Sequence, residues 1–286
     1  MVAHTNPILN TKIRTFQEQL LQTNKMTTIH GLDRSIVIDP IRFHLTLGVM
    51  TLVQDSAPHG DTEERSARTV SSALALLRSL KPQVDAILIG GSDGSGSGDI
   101  GLDVLLDAVD IMPGAKRATG KDMEGRAQSS SQRDELWANV MYLAPRETGD
   151  AGVKLRRIAD LVHSKFKQEG YITETRPLKL HCTILNSSKR RPAHKRGPFS
   201  YSDILTANVL RPLLSAPSSS TTSTGMPSQT RFRNRSRANA TRVSIDLPDT
   251  VRVRELALWV MGSRARDGAY VSVGGMRFGP TGMVGV

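Results

Sequence analysis

Residues 42–47 read Arg-Phe-His-Leu-Thr-Leu and residues 179–184 read Lys-Leu-His-Cys-Thr-Ile. Each is a cation, an apolar residue, His, an apolar residue, Thr and a second apolar residue. In an extended strand successive side chains point to opposite faces. Phe43, Leu45 and Leu47 then share one face, with Arg42, His44 and Thr46 on the other. In the second segment Leu180, Cys182 and Ile184 take the core face, opposite Lys179, His181 and Thr183. Two such strands side by side bring two imidazoles, two hydroxyls and two cations into one cleft. That inventory suits a phosphodiester, with one His as base, one as acid, and hydroxyls and cations on the phosphate oxygens.

A lone His-x-Thr carries little information in a chain with 7 His. The weight comes from context: both copies lie in alternating apolar runs, both carry the cation at the same offset, and there is no third copy. The competing reading of the spacing is two ordinary half-buried strands whose His and Thr face solvent. A metal site is the other use of paired histidines, but His44 and His181 lack carboxylates at ligand spacing, so neither metal nor cofactor is expected. His4, His30, His59, His163 and His194 have no comparable surroundings and are expected on the surface.

Working outward, Thr11–Thr27 reads as an amphipathic helix with Ile13, Phe16, Leu20 and Leu21 on one stripe. Phe43–Val53 reads as the strand of the first motif. Asp61–Leu80 reads as a helix capped by Asp61 or Thr62 and closed by Pro82. Leu102–Met112 fits either a helix or a strand. Leu136–Leu143 reads as a strand, Ala151–Glu169 as a helix ended by Gly170, and Leu178–Leu185 as the strand of the second motif. Val243–Leu247, Leu256–Met261 and Tyr270–Phe278 read as strands, with a hairpin turn at Arg266-Asp267-Gly268. Residues 90–101, 113–133 and 215–240 are Gly/Ser-rich or low-complexity and read as flexible insertions in a single domain spanning 1–286. The order of elements implies an α+β or mixed α/β domain of two similar lobes, each contributing one His-x-Thr strand.

The formal net charge of +11 points to an anionic partner, RNA or another nucleic acid being the usual one. Part of the surplus sits in Lys189–Arg196 (KRRPAHKR), directly after the second motif. That run reads as a guide for an RNA strand, a nuclear localisation signal, or a solvated loop. Arg231, Arg233, Arg235 and Arg237 alternate with little aromatic interleaving, which suits salt-sensitive phosphate attraction rather than sequence reading. One Cys excludes an internal disulfide framework and a Cys-based zinc site. No apolar run approaches the ~20 residues of a membrane span, and the N-terminus has no signal core. No membrane partner and a nuclear and/or cytoplasmic location are therefore expected, with the sequons at Asn186, Asn234 and Asn239 idle.

The motifs His44-Leu45-Thr46-Leu47 and His181-Cys182-Thr183-Ile184 resemble the signature of the 2H phosphoesterases. Phe43–Val53 (FHLTLGVMTLV) and Lys179–Asn186 (KLHCTILN) are similar to the branch that holds the A-kinase anchoring protein 7-like domain and a subunit of the activating signal cointegrator complex. The resemblance runs in pieces from about residue 12 to 278. It favours a strand at Leu102–Met112 and implies a two-lobed fold with antiparallel-rich sheets, flanking helices and a central cleft. Metal-independent cleavage of an RNA phosphodiester or a 2′,3′-cyclic phosphate is the implied activity. His44 and His181 would be its catalytic pair, in either order of acid and base. Thr46, Thr183, Arg42 and Lys179 would bind the phosphate.

Cys182 stands where that family more often has a small residue such as Ala. Met1–Asn10 offers no counterpart of its first core strand, and no KH-type RNA-binding domain precedes the motifs. Two further readings follow. One is a non-catalytic subunit of a nuclear cointegrator complex, binding nucleic acid or partner subunits in transcription regulation and alkylation repair. The other is a truncated, poorly folded product, a reading that rests on the absent first strand.

Overall fold

In the computed structural model the residues described are 6–53, 55, 68–90, 100–114, 135–207, 209–210, 213, 241–245, 247 and 250–279. The readings at Asp61 and Thr62, at residues 215–240, at His4 and His59, and over most of 90–101 and 113–133 lie outside them.

The architecture is α+β, with antiparallel sheets and packed helices. The central sheet is built on β3 (Trp137–Pro145), which pairs antiparallel with β2 (Leu106–Pro113) on one side and β4 (Cys182–Asn186) on the other. Short strands β5 (Phe199–Ser200) and β6 (Val243–Ser244) extend it, on β3 and β2 respectively. Two antiparallel pairs stand apart from this sheet: β1 (Leu102–Val104) with β7 (Val251–Val253), and the hairpin of β8 (Glu255–Trp259) with β9 (Ser272–Arg277). The ambiguous Leu102–Met112 is thus strand. Val109 and Ile111 meet Leu143 and Met141 across the ladder, which satisfies period 2 rather than 3.6. The expected hairpin turn forms at Ala265–Ala269, with Gly268 at φ +92.

Helix α1 runs Pro7–Met26, starting earlier than the apolar stripe suggests. The Asn6 side chain accepts from the Leu9 amide, and Pro7 supplies the first helical position, where a missing N–H does no harm. Leu9, Ile13, Phe16 and Leu20 form its buried face. The helix expected over 61–80 begins in the described residues at Val70: α2 is Val70–Ser79, and Thr69 and Ser72 make a reciprocal capping box. Pro82 does not close it. Instead Pro82 sits in the first turn of a second helix, α3 (Lys81–Ile89), the one part of a helix that accepts proline. Helix α4 (Gly149–Gln168) buries Leu155, Ile158, Ala159, Val162 and Phe166 and is followed by Gly170 at φ +74. A short α5 (Tyr201–Thr206) follows β5, a stretch the sequence reading left unassigned.

The first motif departs most from expectation. Among the described residues Phe43–Val53 joins no ladder; isolated bridges mark it, at His44 and Val53. The cause lies just upstream. Val37 bridges Leu185, and the Ile38 amide donates to the Ile184 carbonyl at 3.0 Å. Asp39-Pro40 then opens a 3-10 turn, Pro40–Arg42, that interrupts the pairing along the edge of β4. One buried side chain repairs the join. Gln17 of α1 donates from Nε2 to the carbonyls of Ile38 (2.8 Å) and Ile184 (3.3 Å).

Among the described residues no helix is long and apolar enough to cross a membrane.

Candidate functional site

The alternation read from both motifs holds. Phe43, Leu45, Leu180, Cys182 and Ile184 are buried in the core, while Arg42, His44, Thr46, His181 and Thr183 are half-buried or lie on the opposite face. The two segments touch. The His44 amide donates toward the Cys182 sulfur, and burial pushes that thiol up to about 12, so Cys182 is a packing residue.

The two imidazoles are held in the same way. His44 Nδ1 lies 2.7 Å from the Arg42 carbonyl, and His181 Nδ1 lies 2.7 Å from the Lys179 carbonyl. A carbonyl oxygen has no proton to give, so Nδ1–H is the donor in both rings and Nε2 is left with the lone pair. Burial drives the His44 pKa down to about 4, and repulsion from His181 and from the Arg42 guanidinium acts in the same direction. The His181 pKa is also lowered, first by burial and then by the Lys179 charge. Near neutral pH both are uncharged imidazoles whose Nε2 atoms can accept a proton.

The supporting residues differ. His44 stands edge-on to Trp259 (5.3 Å between centroids) and Tyr270 (5.4 Å), two rings of the β8–β9 hairpin that stack on each other. His181 stands edge-on to Tyr142 at 5.5 Å. The Tyr142 hydroxyl donates to Asp110 at 2.7 Å, and Thr241 donates to the same carboxylate at 2.7 Å. Buried between these groups, Tyr142 has its pKa pushed far above the phenol range.

The two expected phosphate cations are both engaged. Arg42 donates to the carbonyls of Gly268 (3.0 Å) and Ser263, and its guanidinium lies 4.3 Å above the Tyr270 ring. It clamps the hairpin loop to the first motif. Lys179 is 3.8 Å from Asp110 and 4.8 Å over the Tyr142 ring. Thr46 and Thr183 lie on the histidine faces of their segments, and Thr183 is opposite Tyr142 in the ladder.

A cavity of about 420 Å³ opens beside His44 and Thr46, walled by Leu47, Met50, Phe166, Ile172 and Leu258. Its lining does not include His181 or Thr183, so this cavity belongs to one half of the site only. His163, expected on the surface, is half-buried, and its Nδ1 donates to the Leu47 carbonyl at 2.7 Å, tying α4 to the first motif. His30 pairs with Asp203 at 2.9 Å, away from the motifs. Among the described residues there is no group of three or more His, Cys, Asp and Glu able to hold a metal ion.

The sequence reading missed Asp110, Trp259 and Tyr270. A signal existed: the chain has only two Trp and four Tyr, and three of these rings stand against a motif histidine. In a comparison with models of known protein families, none matches this chain.

Proposed function

We propose that this chain is a two-histidine phosphodiesterase of the 2H type, built on a two-lobed fold of that family and acting without metal on RNA phosphodiesters or 2′,3′-cyclic phosphate ends. The observation that carries the reading is the matched pair of imidazoles. Each is fixed through Nδ1 to the carbonyl two residues back and offers Nε2 on the same face as a threonine hydroxyl.

In this mechanism one neutral imidazole takes the proton of the attacking water or ribose 2′-hydroxyl. The other enters protonated, as the bound phosphate anion raises its pKa, and gives that proton to the leaving oxygen. Thr46 and Thr183 donate to the non-bridging oxygens as charge develops there. Lys179 adds positive charge at the His181 side, and Arg42 acts through the hairpin loop it holds.

The second reading, a nucleic-acid- or protein-binding subunit of a nuclear cointegrator complex, draws on one observation. Val49, Val260 and Met261 are exposed and line the His44 cavity, and such a patch suits a protein partner.

The test is incubation with short RNAs ending in 2′,3′-cyclic phosphate, in EDTA, beside His44→Ala and His181→Ala. Cleavage lost in both variants supports the enzyme. A folded protein that binds RNA and leaves every substrate intact refutes it. Thr46→Ala and Thr183→Ala then separate the steps, because a hydroxyl that stabilises the transition state lowers kcat, whereas one that only binds raises KM.

A further inference from the structure

The basic run after the second motif is not a free solvated loop along its whole length. Lys189, Arg190 and Arg191 divide between two environments. Arg190 is buried and clamped by Asp33 and by the carbonyls of Gly31 and Gly197. The Arg191 amide donates to the Ser35 hydroxyl at 3.0 Å. The run is therefore fastened to the turn at 33–35, and Lys189 and Arg191 face a cavity of about 620 Å³. Arg14 of α1, Arg34 of that turn, Arg264 of the β8–β9 loop and Arg42 line the same space. Six cations from distant parts of the chain thus meet two acids, Glu18 and Asp39.

Neutralisation inside the groove is slight. Arg14 lies 3.6 Å from Asp39, with both side chains more than half exposed, a pairing worth little in water. The carbonyl bonds of Arg42 leave its charge uncancelled. The side chains of Arg34, Lys189, Arg191 and Arg264 have no ion pair among the described residues. A concave surface lined by one sign of charge concentrates anions. Among the described residues no aromatic side chain lines it, so they offer no platform on which a base could stack. It suits phosphates in series.

From this we infer that the groove holds the sugar–phosphate backbone of a single-stranded RNA whose reacting end lies at His44 and His181, so that the substrate is a polynucleotide rather than a cyclic mononucleotide. The inference rests on the phosphodiesterase reading for the reacting end. Arg42 marks the junction, since it lines the groove and stands two residues before His44 in the first motif. An acidic peptide would also meet charge there, but a nucleic acid accounts as well for a groove that opens next to the candidate phosphate site.

The test uses Arg34→Ala/Arg264→Ala, two exposed residues without ion pairs. Binding of an oligoadenylate of about 12 nucleotides is followed by fluorescence anisotropy, in a background carrying His44→Ala and His181→Ala so that no turnover intervenes. The expected result is about tenfold weaker binding, with the log–log salt slope shallower by about 1.4, since each lost contact to a single strand removes about 0.7. Arg34→Lys/Arg264→Lys should restore most of the affinity, which separates charge from folding. In the catalytic background, kcat/KM for the oligonucleotide should fall at least tenfold further than that for 2′,3′-cyclic AMP. Unchanged affinity and slope overturn the groove, as does equal competition by a polyglutamate peptide of the same length. If binding weakens as expected but no substrate is cleaved by the parent protein, the groove stands and the phosphodiesterase reading falls.

Discussion

The two halves of the candidate site carry one motif on two kinds of support. His181 immediately precedes β4, a strand paired to the centre of the main sheet, and its neighbours Tyr142 and Asp110 belong to β3 and β2. His44 lies on a segment that joins no ladder, and its neighbours Trp259 and Tyr270 belong to a hairpin outside that sheet. The local geometry is nonetheless the same, a 2.7 Å bond from Nδ1 to the carbonyl two residues back. The ring is therefore oriented by the motif's own backbone, and the rest of the fold sets the surroundings: polar and sheet-bound at His181, aromatic and loop-bound at His44.

The largest expected effect tests whether the halves are chemically equivalent. His44→Ala and His181→Ala should each lower turnover of a cyclic-phosphate RNA end by about 10²–10⁴. A variant that keeps its rate removes that histidine from the chemistry and leaves the matched geometry a coincidence of strand packing.

Next comes pH. His44 folds with a pKa of about 4 against the ordinary 6.5, so the unfolded chain binds the extra proton first as pH falls. Stability from this residue is therefore complete above about pH 6.5 and is lost between there and pH 4, by about 3 kcal/mol. Urea unfolding at pH 7.5 and 4.5, with and without His44→Asn, measures it. A variant that shows the same acid loss would place the proton uptake elsewhere. Activity follows the same groups: because both pKa values are lowered, the state with one imidazole charged and one neutral is most populated on the acid side of 6.5, and kcat/KM should peak there.

Arg42→Met addresses the loop-bound half. Losing two charge-assisted bonds to the Ser263 and Gly268 carbonyls should lower stability by about 2 kcal/mol. The His44 ring signals should move in an NMR spectrum while those of His181 stay. Movement of both would mean that the halves are mechanically coupled. The smallest effect is Tyr142→Phe on the sheet-bound half, about 1 kcal/mol, since Asp110 keeps Thr241.

The sequence made the sheet-bound half far more legible than the loop-bound one. Alternation located β4, β3 was read as a strand at Leu136–Leu143, and β2 was ambiguous by periodicity, its strand reading coming from the family resemblance. At Phe43–Val53 the same alternation appeared, and the residues do face as read, but alternation reports which side is buried and not whether a partner strand exists. The proline at position 40, which opens the 3-10 turn that interrupts the pairing, is a local signal with a long-range effect. Pro82 misled for the opposite reason, because proline both ends helices and begins them, and only the following Val84 and Leu88 tell the cases apart. Asp110 was out of reach, and the scarcity of Trp and Tyr could only flag Trp259 and Tyr270 without placing them, since their relation to the histidines depends on the register between elements remote in sequence. The basic groove was half legible: Lys189 and Arg191 were visible as a run, whereas Arg14, Arg34 and Arg264 join it only in three dimensions.

Gln17 sets one further condition on the site. Its amide spans the Ile38 and Ile184 carbonyls, the first on the approach to one motif and the second within the other, from a helix that carries neither. It works as a ruler: the gap between the motif segments is measured against α1, and a shift of that helix changes the measure without altering either motif. A chain stripped of α1 would still spell out both histidines and both threonines, and would have lost the standard by which they are spaced.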